Sequence, residues 1–493
     1  MFLREPAAVV SWACLVVVLV RLTYVTQPLR YDESGYLIVA RQWDGDGPFL
    51  YGDYWVDRPP GLLLIFRVAS LFDSDRAVRV LAIPFALMFV VAAARAAWIL
   101  GGASSARLAT WIAGALVATP ATGADQANGE LFAASLVMAA IALLIEACNR
   151  DTARARCGLA TGAGVLGAAA PLVKQNFVEA LVFAAVMLTV TWRSGRDQRP
   201  GTAQIAGAAL LGAALPSVAL LLWTYGSWFD LGMVAYDLVG FRADALGVIL
   251  EFRSQATVSR GYVLIMLGIV SGIVPILVDM AGAGWRGRHS GSPAGWATAA
   301  IAALGVLGIA AGGSYWPHYL LQLAPATVLG TALMATGARR RTVQTMCVAA
   351  ACSAMLASTG MAAFYLTSPP GTWPHRTGEW VKASSAPGDT AVVVYGAAAV
   401  QHSSGLDSPY PYLWSLPVRV LDPRLDRLEA TLSGPDAPSW IVQARSFDAW
   451  ELDEDGGLRA TVEHSYRVVA KVCDKPVWLR RDLTRELAEL PDC

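Results

Sequence analysis

Long apolar runs dominate this chain and leave few folds open to it. They fall at roughly 7–27, 77–99, 106–122, 129–148, 157–173, 177–193, 203–225, 260–281, 294–312, 318–336 and 342–366. A helix needs about 20 apolar residues to cross a hydrocarbon core of about 30 Å. Backbone polar groups inside lipid must be paired within the segment, so each run reads as a membrane helix. Composition agrees: 55% of residues are apolar and 15% charged, against roughly 25% charged in a soluble domain. A water-soluble enzyme of this size is excluded. The 38 basic and 38 acidic side chains balance, so no global field for nucleic acid is expected. The first run follows Arg4 with no small-residue cleavage site after it, and reads as a span rather than a cleavable signal.

A twelfth apolar stretch, 60–72, is too short to span with ease. The arginines decide its place. With the N-terminus inside and 60–72 left out, the short loops carrying Arg107, then Arg150, Arg154 and Arg156, then Arg193, Arg196 and Arg199, then Arg286 and Arg288, and finally Arg339, Arg340 and Arg341 all fall inside. That is what the positive-inside rule requires, and counting 60–72 as a span reverses all of it. So 60–72 reads as an interfacial helix. The expected architecture is an α-helical polytopic membrane protein with about eleven transmembrane helices, N-terminus cytoplasmic and C-terminus outside.

Two domains are expected: 1–366 in the membrane and an extracytoplasmic 367–493, opening at Ser368-Pro369-Pro370-Gly371. The second reads as a small α/β domain, with strand patterns at 391–396 (AVVVYG), 439–444 (SWIVQA), 467–472 and 477–480 between Gly and Pro punctuation. The seven cysteines contain no CxxC pair, which argues against a zinc knuckle. Five lie in or beside apolar runs as small buried groups. Cys473 and Cys493 lie in the polar part; if it is outside, a disulfide is one outcome and two free thiols the other.

The first outside loop, about 28–76, is long and acidic. It opens with Arg30-Tyr31-Asp32-Glu33-Ser34-Gly35-Tyr36, two adjacent carboxylates just past a membrane helix. Such acids also serve simply as N-terminal helix caps. Further on, Asp57-Arg58-Pro59-Pro60-Gly61 holds an Arg extended before the interfacial helix, because proline disfavours helix in the residue before it. A guanidinium there suits a phosphate at headgroup depth, or merely snorkels.

Together, Asp32-Glu33, Tyr36, Ala40, Gly47-Pro48 and Asp57-Arg58-Pro59-Pro60 resemble the first outside loop of the protein mannosyltransferase and aminoarabinose transferase superfamily, glycosyltransferases of the GT-C type. The segments 128–133 (NGELFA), Lys174-Gln175-Asn176 and 315–322 (YWPHYLLQ) extend the likeness over most of 28–336. Where that family usually has Lys before the double proline, this chain has Arg58. The resemblance implies transfer of a sugar, of mannose or arabinose type, from a polyprenyl-phosphate carrier with inversion. It implies Asp32 as the catalytic carboxylate with Glu33 as its motif partner, and Arg58 beside the donor phosphate. The chemistry is consistent on its own terms: such a transfer needs a base for the acceptor hydroxyl and positive charge for the departing phosphate.

Lys174 is a second candidate for the phosphate, and Tyr36, Asp57, Asp125, Glu130, Tyr315 and His318 are candidates for contact with substrate. Each has a plainer reading as a cap, a loop charge or part of the interfacial aromatic belt. Tyr236, Asp237 and Arg242 in the 226–259 loop are further candidates. Asp44-Gly45-Asp46-Gly47 reads as a divalent-metal loop or a plain turn; no other cofactor is indicated. The expected partners are a polyprenyl-phosphate sugar donor, a glycan, lipid or protein acceptor, and membrane lipids. The expected place is the plasma (inner) membrane. Two other classes fit the apolar runs: a transporter or flippase of lipid-linked glycans with an external cap, and a non-catalytic scaffold. Transporters characteristically show paired repeats and mid-membrane breaks, which are not evident in this sequence.

Overall fold

The computed structural model describes residues 4–43, 47–195, 199–226, 230–252, 255–285, 292–336, 339–367 and 372–493. Asp44, Asp46, Arg196, Arg286, Arg288 and the segment 368–371 therefore lie outside the described residues. The membrane part runs α1 (Arg4–Val25), α2 (Tyr31–Arg41), α3 (Pro60–Ser70), α4 (Arg76–Ala118), α5 (Gly129–Cys148), α6 (Ala153–Val173), α7 (Glu179–Ser194), α8 (Arg199–Gly226), α9 (Leu231–Ala235), α10 (Phe241–Glu251), α11 (Gln255–Val270), α12 (Ile273–Trp285), α13 (Pro293–Gly312), α14 (Ala324–Met334) and α15 (Arg340–Thr367).

Each of the eleven expected runs is helical. Among the described residues, seven helices are long and apolar enough to cross a membrane, or eight if α11 and α12, bent by 72° at their junction, count as one. The difference from eleven has local causes. The runs 77–99 and 106–122 form one 43-residue helix, broken at Gly102, whose φ of 71° and ψ of −162° only glycine adopts without strain. α7 has 16 residues, and α14 has 11, lengthened by a 3₁₀ segment at Pro317–Leu323.

α5 lies at the centre, buried over most of its surface, while α8 and α15 expose most of theirs, as lipid-facing helices do. α6 and α8 come closest through glycine: a Cβ on Gly164 would sit 2.0 Å from Ala209 O, and one on Gly212 would sit 2.1 Å from Thr161 O. Such contacts let membrane helices approach backbone to backbone. α3 starts at the second proline of its pair; it buries Leu62, Leu63, Phe66 and Ala69 and leaves Leu64 and Val68 outward. An apolar outer face on a short helix fits the interfacial reading.

The C-terminal part contains α16 (Trp373–Ser384), β1 (Ala391–Val393), α17 (Ala398–Ser404), α18 (Ser415–Leu421), α19 (Asp426–Ser433), β2 (Trp440–Val442), α20 (Gly457–Ser465), β3 (Tyr466–Val472) and β4 (Lys475–Arg480). The sheet order is β1-β2-β4-β3, with β1 parallel to β2 and the other pairs antiparallel. All four expected strands are present. β1 and β2 are buried throughout, as their unbroken apolar runs require. Cys473 and Cys493 form a disulfide that ties the C-terminal tail to the β3–β4 turn.

Gly212→Val should force α6 and α8 apart and destabilise the protein by about 1–3 kcal/mol. Thermal denaturation of the detergent-solubilised protein measures this. A melting temperature equal to wild type would mean that the two helices are not in backbone contact.

Candidate active site

The first turn of α2 presents two neighbouring carboxylates, and the fold separates their roles. Glu33 is buried and fully engaged. It accepts from Arg79 Nε at 2.9 Å and Nη2 at 2.8 Å, from the Ala127 amide at 2.8 Å and from the Arg30 amide at 2.8 Å. Burial alone would raise its pKa; Arg79 and the two amides outweigh that and hold it below the ordinary glutamate range. Arg79 also donates to the Tyr24, Gln27 and Pro28 carbonyls that end α1 and begin the loop. Asp32 is half-buried, and one oxygen accepts from Trp414 Nε1 at 3.1 Å. Its second oxygen has no hydrogen-bond partner among the described residues.

Trp414 comes from the C-terminal part, just before α18, and its ring fills the space over Gly35, where a Cβ would lie 2.1 Å from Cζ2. It also lies 5.6 Å from the Tyr36 ring, centroid to centroid. Sequence reading missed Trp414: nothing in its neighbourhood signals that it reaches a residue almost 400 positions away. The absence of a side chain at Gly35 is the one local trace.

One turn further along α2, the Tyr36 hydroxyl accepts from Arg58 Nε at 2.7 Å, and the Arg58 guanidinium lies 5.6 Å from the Tyr36 ring centroid. Pro59 and Pro60 keep Asp57 and Arg58 extended at the mouth of α3. Arg58 Nη1 donates to Asp57 Oδ1 at 2.6 Å, and Arg242 of α10 pairs with Oδ2. Burial would raise the Asp57 carboxyl, but Arg242 and then Arg58 outweigh it and hold it low. Arg58 Nη2 has no hydrogen-bond partner among the described residues.

A third pair closes the group. Lys174, at the end of α6, contacts Glu130 of α5 at 2.8 Å, and His318 lies 3.8 Å from the same oxygen. Burial lowers the Lys174 pKa, and Arg58 lowers it further. His318 reaches this position because Gly123 has no side chain; a Cβ there would sit 2.9 Å from His318 Cβ. Gln175 holds the Lys174 turn to the Asp57 carbonyl at 3.0 Å, and Asn176 holds it to Gln322 at 2.9 Å.

Asp32, Asp57 and Glu130 thus face Arg58, Arg242 and Lys174, with Arg58 and His318 within electrostatic reach of Asp32 and Glu130. Asp125 stands to one side, 3.8 Å from Arg30 and raised in pKa by burial. Asp237 accepts from Trp55 Nε1 at 2.9 Å and is pushed up to about 6 by burial. Tyr236 bonds Asp244 instead of joining the group. Tyr315 packs over Gly261 with a left-handed φ of 56° and makes no hydrogen bond to the charged group among the described residues. Among the described residues no three His, Cys, Asp or Glu side chains are placed to hold a metal ion.

Glu33→Gln should leave Arg79 buried without its counter-ion and cost about 3–5 kcal/mol of stability. A depressed folded-state pKa makes the wild-type advantage complete above the ordinary glutamate range and lost as pH falls through the depressed value. Thermal melts of both proteins should therefore converge in acid. A gap that does not narrow would rule out ionised Glu33 as its source.

No family model and no curated protein matches the sequence. The structure is similar to that of ArnT from Cupriavidus metallidurans, solved with undecaprenyl phosphate bound: TM-score 0.63, 14% identity, 95% of this chain and 97% of that one covered. It is also similar to the oligosaccharyltransferase AglB from Archaeoglobus fulgidus, solved with an inhibitory peptide and a dolichol-phosphate: TM-score 0.57, 12% identity, 98% of this chain and 74% of that one covered. These likenesses, extending over nearly the whole chain, show that this integral membrane protein has the GT-C fold.

Proposed function

We propose that the chain is a membrane glycosyltransferase that moves a sugar of mannose or arabinose type from a polyprenyl-phosphate donor to an acceptor on the non-cytoplasmic face, with inversion. The observation that carries this reading is a half-free carboxylate, Asp32, held beside buried cations that have donors to spare. The neighbours bound to undecaprenyl phosphate and dolichol-phosphate support a lipid carrier.

In this mechanism the free Asp32 oxygen accepts the proton of an acceptor hydroxyl. The hydroxyl oxygen forms a bond to the anomeric carbon as the bond from that carbon to the phosphate oxygen breaks. Arg58, through its open Nη2, and Lys174 take up the charge on the departing polyprenyl phosphate. Asp57 and Glu130 keep both cations charged and aimed while the site is empty. Trp414 fixes the Asp32 rotamer. Glu33 acts as a positioning residue: its four hydrogen bonds leave it no capacity to take a proton. Tyr36 and His318 line the approach, Asp125 stands beside it, and 367–493 forms a domain that covers it from outside.

The test is transfer by the purified protein in nanodiscs, offered a panel of radiolabelled polyprenyl-phosphate sugars. Asp32→Asn should slow the turnover of the accepted donor by a factor on the order of 10² or more. Arg58→Gln should cost a factor on the order of 10²–10³. Equal turnover by wild type and Asp32→Asn would move the base elsewhere, with Asp125 next in line. No consumption of any donor by folded protein would favour a transporter.

Orientation is checked separately. In a cysteine-free background, a cysteine at 126 should react with an impermeant reagent added outside and one at 153 should not. The reverse pattern would invert the topology.

A further inference from the structure

We infer that the outer mouth of this site carries a binding surface for an anionic oligosaccharide, built from Arg260, Arg419 and Arg445 interleaved with the faces of Trp450, Trp316 and Tyr31. The inference rests on the glycosyltransferase reading and names the class of acceptor for the same site.

Arg445 and Arg419 flank one indole: their guanidinium carbons lie 4.7 Å and 5.1 Å from the Trp450 ring centroid. Arg260 lies 4.6 Å from the Trp316 ring centroid. Arg445 is within electrostatic reach of Arg260, Arg419 and Tyr31, so these pieces share one neighbourhood. Tyr31 immediately precedes Asp32, which places that neighbourhood beside the reactive carboxylate.

These three arginines lack an acidic partner among the described residues. On the same side of the molecule Arg30, Arg41, Arg58 and Arg242 each have a carboxylate within 4.0 Å. Among the described residues Arg260, Arg419 and Arg445 have none. Arg419 donates to the Val248 carbonyl and leaves its buried Nε unpartnered. Arg260 donates to the Ser314 carbonyl and Thr257 Oγ1. Three cations brought together without counter-ions repel one another, and an anionic ligand would relieve that repulsion.

Two of the three rings are exposed, and Trp450 is half-buried. Trp316 and Tyr31 are 44% and 43% exposed. Trp450 sits in a turn where it and Glu451 both have left-handed φ values, 59° and 60°, a strained backbone for side chains of that size. Guanidinium forks bind phosphate or carboxylate in two-point fashion, and flat aromatic faces suit the apolar faces of sugar rings. A neutral glycan would leave the three charges unanswered. A simple inorganic anion would leave the rings bare.

The test measures binding without turnover, by intrinsic tryptophan fluorescence of the full chain in phosphatidylcholine nanodiscs. The probes are trigalacturonate and a phosphorylated mannotriose, each beside its neutral counterpart. Both anionic probes, or one of the two, should bind about tenfold or more tightly than the neutral sugar, and added salt should weaken that binding. Arg419→Gln and Arg445→Gln should each weaken it by about tenfold. Equal affinity for charged and neutral sugars, or no effect of Arg445→Gln, overturns the inference. Displacement of the sugars by phosphatidylglycerol in the nanodisc also overturns it, by assigning the arginines to lipid headgroups. Intact binding with no sugar transfer would sink only the enzyme reading. Transfer to a neutral acceptor without selective anionic binding would sink only this inference.

Discussion

The ion pair between Glu33 and Arg79 is the joint on which the start of α2 and the segments around it depend. One carboxylate takes bonds from α4, from the loop before α5 and from the start of α2, while the partner guanidinium satisfies the carbonyls that end α1. Four segments are thereby held in one arrangement. Water is scarce there, so neither charge tolerates loss of the other, and the pair specifies geometry even where its net contribution to stability is modest.

Everything catalytic in the proposed site hangs from that joint. With the first turn of α2 pinned, Asp32 and Tyr36 point to the same side, one toward Trp414 and the other toward Arg58. The remaining charges are organised as pairs that offset each other's desolvation. Each pair still leaves a donor edge or an oxygen free for a ligand. Such preorganisation is how a site stabilises a departing phosphate without rearranging during the reaction.

The C-terminal part contributes to the candidate site. Besides Trp414 and Asp32, the Ser408 amide donates to the Tyr54 hydroxyl at 2.8 Å and the Trp55 amide to the Pro411 carbonyl at 3.2 Å. A loop of the membrane part and a loop of the C-terminal part are therefore folded against each other beside Asp32. Trp414, which holds one oxygen of that carboxylate, is drawn from the C-terminal part.

Much of the fold is legible in the order of the amino acids. Apolar runs longer than a bilayer is thick admit one backbone solution, so the helices can be read directly, and the double proline marks where α3 begins. Strands β1 and β2 of the C-terminal part are visible because buried parallel strands are continuous apolar runs. The candidates Asp32, Arg58, Lys174, Glu130 and His318 can be named because the short motifs that carry them resemble those of the GT-C superfamily. Their pairing cannot. Which cation meets which carboxylate depends on how α2, α5, α6 and α10 cross, and the sequence alone does not specify those crossings. The division of labour between Asp32 and Glu33 is likewise invisible there, since adjacent acids differ only in what faces them. Arg79 reads as an ordinary charge at a helix edge, and Trp414 as one more aromatic in a polar domain. Composition and periodicity determined the lipid environment and the elements. The tertiary structure decided which carboxylate is spent on holding the fold and which is left open, because that depends on contacts between segments that the chain places far apart.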